Sequence, residues 1–176
     1  MATGVKSKVA VLVTPFIVAC AGSGGGSSEF DSFSIRYRED ARGYHYTFAA
    51  PADQVLQALP DVYQYFGFPG ALASDTDQLV FISPAATAQG RIYQEEPNSL
   101  YLDCGTLLDG PRADTHLVQF AIMTRIVPLE AGGSEIEIII DGLARARDHN
   151  INPVPCRGTG KLEGQIATVL RSRLAG

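Results

Sequence analysis

The chain has 176 residues, of which 45% are hydrophobic and 19% are charged. This length and composition are enough to bury one hydrophobic core, which excludes global disorder and favours a single domain. The formal net charge is −5 and no basic stripe with interleaved aromatic residues is present, so we expect no nucleic-acid partner.

The N-terminal segment has the pattern of an export signal. Two lysines, Lys6 and Lys8, precede an apolar run from Val9 to Ala19. A run of this length, rising about 1.5 Å per residue as a helix, is too short to cross a hydrocarbon core of about 30 Å. We therefore interpret residues 1–19 as a signal peptide and not as a transmembrane anchor.

The end of this run, Ile17-Val18-Ala19-Cys20, resembles a bacterial lipobox. The resemblance implies that the signal is cut before Cys20, that this cysteine carries palmitate or similar acyl chains, and that the lipid holds the protein in a membrane. The alternative is an ordinary signal peptide cut near Ala19 or Ala21, which leaves Cys20 without lipid.

Residues 20–29 are predicted to be the lipidated cysteine and a flexible linker, because Ala21 to Ser28 contains only alanine, glycine and serine. Many Gram-negative lipoproteins that stay in the inner membrane have aspartate after the cysteine. Here that residue is Ala21, so the resemblance favours the periplasmic face of the outer membrane. Residues 30–176 are predicted to form one α+β domain.

Two cysteines, Cys104 and Cys156, remain if Cys20 carries lipid. An exported protein enters an oxidising compartment, so a Cys104–Cys156 disulfide is the simplest expectation. A reactive thiol or a metal-binding pair is the alternative, but no CxxC motif or histidine at ligand spacing supports either one. We predict no metal and no cofactor.

The domain begins with two predicted strands and a helix. Phe33, Ile35 and Tyr37 alternate with polar residues, and so do Tyr44, Tyr46 and Phe48 in the next segment. A helix is then predicted to start at Pro51, with an apolar stripe of Val55, Leu59, Val62 and Phe66. Pro60 predicts a kink, or two short helices that meet there.

The remainder is predicted to be a meander of strands and a closing helix. Strands are expected at 78–83, 90–93 and 100–104, with a loop at 105–114 and an irregular connection at 145–156. The runs 117–126 and 135–141 flank a Gly-Gly turn and predict a hairpin whose wet face carries Glu135 and Glu137. Thr159 predicts a helix cap, followed by the apolar stripe Leu162, Ile166, Val169, Leu170 and Leu174.

This order predicts the α+β class: an antiparallel sheet, a short broken helix after the second strand, and a long C-terminal helix on one face. The segment 48–67, FAAPADQVLQALPDVYQYFG, followed by a meander and an amphipathic helix, resembles a helix-grip domain of the START/polyketide-cyclase type. The lipidated cysteine and linker also resemble BamC-like envelope lipoproteins. These resemblances imply a helix-grip-like domain held at the cell envelope.

No recognised catalytic motif is present, so we expect a non-enzymatic protein. Asp114 and His116 are predicted to share a strand face, and a structural role is favoured for both. The aromatic residues from Tyr44 to Tyr101 are interpreted as core, with a ligand pocket as the alternative. The leading hypothesis is a lipoprotein that presents its domain to an envelope protein; the second is binding of a lipid or other apolar molecule in a helix-grip cavity.

Overall fold

The computed structural model describes residues 43–68, 71–75, 78–83, 86–93, 95–147 and 152–176. The predicted signal peptide (residues 1–19), Cys20, the predicted linker, the strand predicted at 33–38 and His149 lie outside the described residues.

The described part of the chain contains ten strands, three α-helices and one 3₁₀ turn at Asn98–Leu100. The strands are β1 (Tyr44–Phe48), β2 (Ala71–Asp75), β3 (Gln78–Ile82), β4 (Ala86–Gln89), β5 (Leu102–Asp103), β6 (Thr106–Leu107), β7 (Gly110–Pro111), β8 (Leu117–Pro128), β9 (Ser134–Arg145) and β10 (Val154–Gly158). The helices are α1 (Ala52–Tyr65), α2 (Arg112–Thr115) and α3 (Lys161–Leu174).

The predicted hairpin is the centre of the sheet. β8 and β9 pair antiparallel along their whole length, from Leu117 opposite Arg145 to Pro128 opposite Ser134. β3 and β4 pair with successive halves of β8, and β1 and β10 pair with successive halves of β9. β2 and β5 add to the outer edges, whereas β6 and β7 form a separate small hairpin.

The two long helices cover one face of this sheet, which we call the inner face. The Tyr63 hydroxyl of α1 lies 2.7 Å from the Thr124 hydroxyl on β8, and Leu162, Ile166 and Leu170 of α3 join the same core cluster. The predicted stripes of α1 and α3 therefore face the sheet, and the α+β class with a C-terminal helix against an antiparallel sheet is confirmed. None of the helices in the described ranges is long and apolar enough to cross a membrane.

Helix α1 continues through Pro60 and is not divided into two helices. Pro60 lacks the N–H that would bond to the Leu56 carbonyl group, but it lies on the exposed face of the helix. On the buried face, Val55, Leu59 and Val62 are fully buried, and their packing holds the helix together across the missing hydrogen bond.

The hairpin does not have the uniformly wet face that was predicted. Glu137 is buried and forms an ion pair with Arg125 on the neighbouring strand, whereas Glu135 remains partly exposed. The outer face, on the side of the sheet opposite α1 and α3, also carries buried apolar side chains at its centre. The alternation of inward and outward side chains in β8 and β9 was predicted correctly. The exposure of the outer face to solvent was not.

Several shorter elements differ from the prediction. The strand expected at 90–93 lies earlier, at β4, and the loop at 105–114 contains the β6–β7 hairpin and α2. The irregular connection at 145–156 ends in β10. The N-cap residue of α3 is Gly160, one residue after the predicted Thr159. The Thr159 hydroxyl group accepts a hydrogen bond from the Lys161 N–H at 3.4 Å and donates to the Leu100 carbonyl oxygen at 2.6 Å.

Candidate functional site

A cleft of about 360 Å³ lies between the C-terminal end of α1, the segment around Tyr93 and the N-terminal half of α3. We call it the α3 cleft. Its lining residues come from three separate parts of the chain: Tyr65, Phe66, Tyr93, Lys161, Gly164, Gln165, Thr168 and Val169. The volume lies at the lower end of the range of about 300–1,000 Å³ that is typical of ligand sites.

One wall of the α3 cleft is aromatic. The Phe66 ring lies 5.1 Å from the Tyr93 ring and 5.2 Å from the Tyr65 ring, measured between ring centroids. Phe66 is buried, whereas the Tyr65 side chain is 55% exposed. The wall therefore offers an apolar surface that is partly anchored in the core and partly open to solvent.

The other end of the cleft is polar and charged. The Lys161 ammonium group donates to Glu96 Oε2 at 2.9 Å and lies 5.0 Å from the centroid of the Tyr101 ring. The Tyr101 hydroxyl group donates to the same Glu96 oxygen. These two hydrogen bonds hold the pKa of the Glu96 carboxyl below its usual value. Burial, together with the hydrogen bond to Glu96, raises the pKa of Tyr101 to about 12.

These two shifts keep the Glu96 carboxyl ionised and the Tyr101 hydroxyl protonated at neutral pH. Because Lys161 is already paired with Glu96, it is oriented at the rim of the cleft and is not an isolated charge. The site presents a fixed dipole beside an aromatic surface.

Gln165 lines the cleft between these two ends. Its side chain hydrogen-bonds with Tyr101, while its Oε1 atom is buried and has no hydrogen-bond donor among the described residues. A buried acceptor without a donor costs about 1–3 kcal/mol. A bound group that carries an N–H or O–H donor would recover part of this free energy.

A second cleft of about 340 Å³ lies at the C-terminal end of α3. The Arg171 guanidinium group lies 5.2 Å from the centroid of the Phe48 ring, and Leu174 lines the same space. Both clefts thus flank α3 at its ends. The side chains between α3 and the sheet belong to the packed core.

Glu163 is a buried carboxyl group in the first turn of α3. Its Oε2 atom accepts a hydrogen bond from the Gly160 N–H at 3.0 Å, which caps the helix, while Oε1 is buried without a partner among the described residues. Gly158 leaves room for the carboxylate, since a Cβ atom there would overlap Oε1. Burial raises the pKa of the Glu163 carboxyl to about 7.

The predicted cysteine pair is present. The sulfur atoms of Cys104 and Cys156 are 2.03 Å apart, and the bridge joins the end of β5 to β10. Both side chains are buried. Cys20, the predicted lipidation site, lies outside the described residues.

Asp114 and His116 do not share a strand face as predicted. Asp114 lies in α2, where its carboxylate accepts hydrogen bonds from the Ser99 N–H at 2.8 Å and the Ser99 hydroxyl at 2.7 Å. His116 follows the helix, and its Nδ1 atom lies 3.0 Å from the Thr115 hydroxyl. Asp114 thus joins α2 to the 3₁₀ turn, which is a structural role. No group of three or more potential metal-binding side chains occurs within the described ranges.

Sequence reasoning identified only the aromatic part of the α3 cleft. Tyr65, Phe66, Tyr93 and Tyr101 were recognised, but with core packing as the favoured interpretation. Lys161 was the one available signal for the polar end, because it is the only lysine after residue 8. Its pairing with Glu96, which is 65 residues away in sequence, depends on the fold.

Comparison of the chain with protein families, with curated proteins and with solved structures found no match.

Proposed function

We propose that this chain is a lipoprotein of the bacterial cell envelope, anchored through lipid on Cys20, whose non-enzymatic domain binds a protein partner through the α3 cleft. The observation that carries the proposal is the combination of an exposed Tyr65 ring, a buried aromatic wall and a charged rim. Protein interfaces share this layout, with aromatic anchors at the centre and polar groups around them. The lipobox-like sequence supports the lipid anchor, and Ala21 after its cysteine supports location at the periplasmic face of the outer membrane.

The fold we infer for this domain is helix-grip-like. This is supported by the antiparallel sheet around the β8–β9 hairpin, with α1 after β1 and α3 at the C-terminal end, both on the inner face. The packing between α3 and the sheet favours recognition at the surface over a ligand enclosed beneath the helix.

Partner binding is tested by capture from native membranes, with a photo-crosslinking residue at Thr168 in the cleft. We expect Tyr65→Ala to reduce recovery of the crosslinked partner by about thirtyfold, because truncating a hot-spot residue costs about 2 kcal/mol or more. Leu129→Ala removes another exposed apolar side chain, in the β8–β9 turn, and is the matched control. Equal recovery from Tyr65→Ala and the control contradicts the cleft as the binding site, and no stoichiometric partner contradicts the function.

Lipid attachment is tested separately by growth with radiolabelled palmitate. We expect the wild-type chain to be labelled and the Cys20→Ser chain to lack label, because the serine hydroxyl group does not replace the cysteine thiol as the attachment site of the lipid. Label on the Cys20→Ser chain rules out this residue as the anchor. The disulfide-bonded pair is unchanged in both chains.

A lipid or other apolar small molecule in the α3 cleft is the second candidate function. The observation in its favour is the buried Gln165 Oε1 atom beside an apolar wall in a cleft of ligand-site volume. Native mass spectrometry of the purified protein is expected to show a bound small molecule that is lost in Val169→Trp, which fills the cleft. A wild-type spectrum with the apoprotein mass alone contradicts this candidate.

A further inference from the structure

The outer face of the sheet carries a small buried patch that is separate from the main core. Ala121 and Met123 on β8 and Ile139 on β9 are only 1%, 8% and 3% exposed. Every other buried apolar residue of the described ranges belongs to the main core cluster, but these three do not. We call them the outer patch.

The two long helices do not account for this burial. The side chains of β8 alternate, so Ala121 and Met123 point away from the face on which Thr124 meets Tyr63 of α1. Helix α3 lies on that same inner face. An apolar patch at the centre of a sheet is typically shielded from water by a second layer of chain.

The chain enters the sheet beside this patch. Tyr44 pairs with Ile138, so Gly43 lies next to Ile139 across the β1–β9 pair. A Cβ atom on Gly43 would overlap the Glu137 side chain, which projects from the outer face. The Glu137 side chain therefore lies against Gly43 on the outer face, at the point where residues 30–42 join the domain.

The residues before Gly43 have the composition that the patch requires. In extended chain, Phe33, Ile35 and Tyr37 share one face, while Arg36 and Arg38 are on the other. At about 3.3 Å per residue, residues 30–42 span about 40 Å when extended, enough to cross several strands spaced about 4.8 Å apart. One side of the segment thus matches an apolar patch and the other side suits solvent.

We propose that residues 30–42 dock on the outer face of the sheet, with Phe33, Ile35 and Tyr37 covering the outer patch. This docking leaves residues 21–29 as the free tether, with a mean reach of roughly 15–18 Å, whereas a free segment from 21 to 42 would reach roughly 23–28 Å. The docked segment also covers the outer face of the sheet, whereas the α3 cleft remains accessible to other molecules. Docking is independent of lipid attachment to Cys20.

Met123 makes the docking directly measurable, because the only other methionine of the sequence is Met1. In the full-length Cys20→Ser chain with ¹³C-labelled methionine methyl groups, a spin label at Ser34→Cys is expected to remove most of the Met123 methyl signal. The label at Ser27→Cys, in the linker, is the control and is expected to leave most of that signal. Equal Met123 signals with the two labels overturn the proposal.

A mixed sample distinguishes docking within one chain from docking between copies. Chains with the Ser34→Cys spin label and no ¹³C are combined with ¹³C-labelled chains that carry no spin label. We expect the Met123 signal to be unchanged in this mixture. Signal loss in the mixture that equals the loss in the doubly labelled chain assigns the patch to a second copy and overturns the proposal.

Peroxide oxidation of Met123 gives a second readout. We expect Ile35→Asp to accelerate sulfoxide formation at Met123 by about tenfold, since an undocked segment exposes the thioether. Ser34→Asp places the same charge on the opposite side of the segment and is expected to oxidise at the wild-type rate. An unchanged rate in Ile35→Asp contradicts docking, even if the spin-labelled variant gave signal loss.

Discussion

At the scale of single residues, Glu163 combines two opposing effects. Its carboxylate caps α3 through the Gly160 N–H, which favours the anion near a helix N-terminus. Burial favours the neutral acid, and it is the larger effect, because the pKa is raised from 4.5 to about 7. The folded state therefore binds the Glu163 proton more tightly than the unfolded chain does.

The free energy of unfolding is expected to decrease by about 3 kcal/mol between pH 4.5 and pH 7 because of Glu163. Below pH 4.5 the group is protonated in both states and its contribution is fully present. As the pH rises, the unfolded chain releases the proton first, and the contribution is lost by the time the pH has passed the folded pKa. Urea unfolding of the wild type at several pH values across this window measures the loss.

The matched variants are Glu163→Gln and Glu130→Gln. Glu163→Gln keeps an acceptor for the Gly160 N–H and removes the ionisation, so its stability is expected to vary less with pH. Glu130 lies exposed in the β8–β9 turn, and Glu130→Gln is expected to retain the wild-type pH dependence. An unaltered pH dependence in Glu163→Gln would show that another group is responsible.

At the scale of elements, α1 shows that packing outweighs local propensity. An internal proline costs about 3 kcal/mol relative to alanine, yet α1 has 14 residues and passes through Pro60. The buried stripe on the opposite side provides the compensating free energy. The proline is thus a local cost that the element tolerates.

Pro60→Ala is expected to raise the free energy of unfolding by about 1–3 kcal/mol, because it restores the hydrogen bond to Leu56 and removes a ring clash. The gain is measured as a higher urea midpoint. Gln57→Ala, at another exposed position of α1, is the control and is expected to change stability by less than about 0.5 kcal/mol. A lower midpoint for Pro60→Ala would mean that the helix needs a proline-induced bend.

Strong periodicity made the major elements predictable. The stripes of α1 and α3 and the alternation of β8 and β9 are visible in the sequence because each element repeats its apolar positions. β4 has no such repeat, since Ala86 to Gln89 contains only alanine, threonine and glutamine. Its strand conformation depends on pairing with β8. β10 contains Pro155, which is tolerated because β5 pairs only with Arg157 and Gly158 further along.

The site was less predictable than the fold because it joins distant positions. Phe66 follows the last residue of α1, Tyr93 lies in an irregular segment and Gln165 lies on α3, and none of these positions has a local motif. Burial of Glu137 was missed for the same reason. Its sequence pattern indicates a wet face, whereas its neighbours in space determine its burial.

At the scale of the whole molecule, the disulfide joins two parts of the chain that the sheet alone connects weakly. Cys104 and Cys156 are 52 residues apart, and β5 contributes only two residues to its pairing with β10. The bridge therefore attaches the segment that carries Tyr101, and with it the polar end of the α3 cleft, to the main sheet.

The double variant Cys104→Ala/Cys156→Ala is expected to lose about 4 kcal/mol of stability, because a loop of this length is no longer closed in the unfolded chain. Urea unfolding of oxidised wild type and the double variant measures the difference. Cys20→Ser, which leaves the bridge intact, is the control. A difference below about 1 kcal/mol would show that strain in the native bridge offsets the restriction of the unfolded chain.

The pairing of β1 with β9 also has a consequence for the order in which the elements fold. These strands are about 90 residues apart, and the chain is synthesised from its N-terminus, so β1 and α1 emerge long before their partner exists. We expect the β8–β9 hairpin to form first from local contacts and then to provide the edge to which β1 adds. Until β8 and β9 pair, the apolar stripe of α1, whose Tyr63 meets Thr124 on β8, lacks the centre of the sheet that it covers.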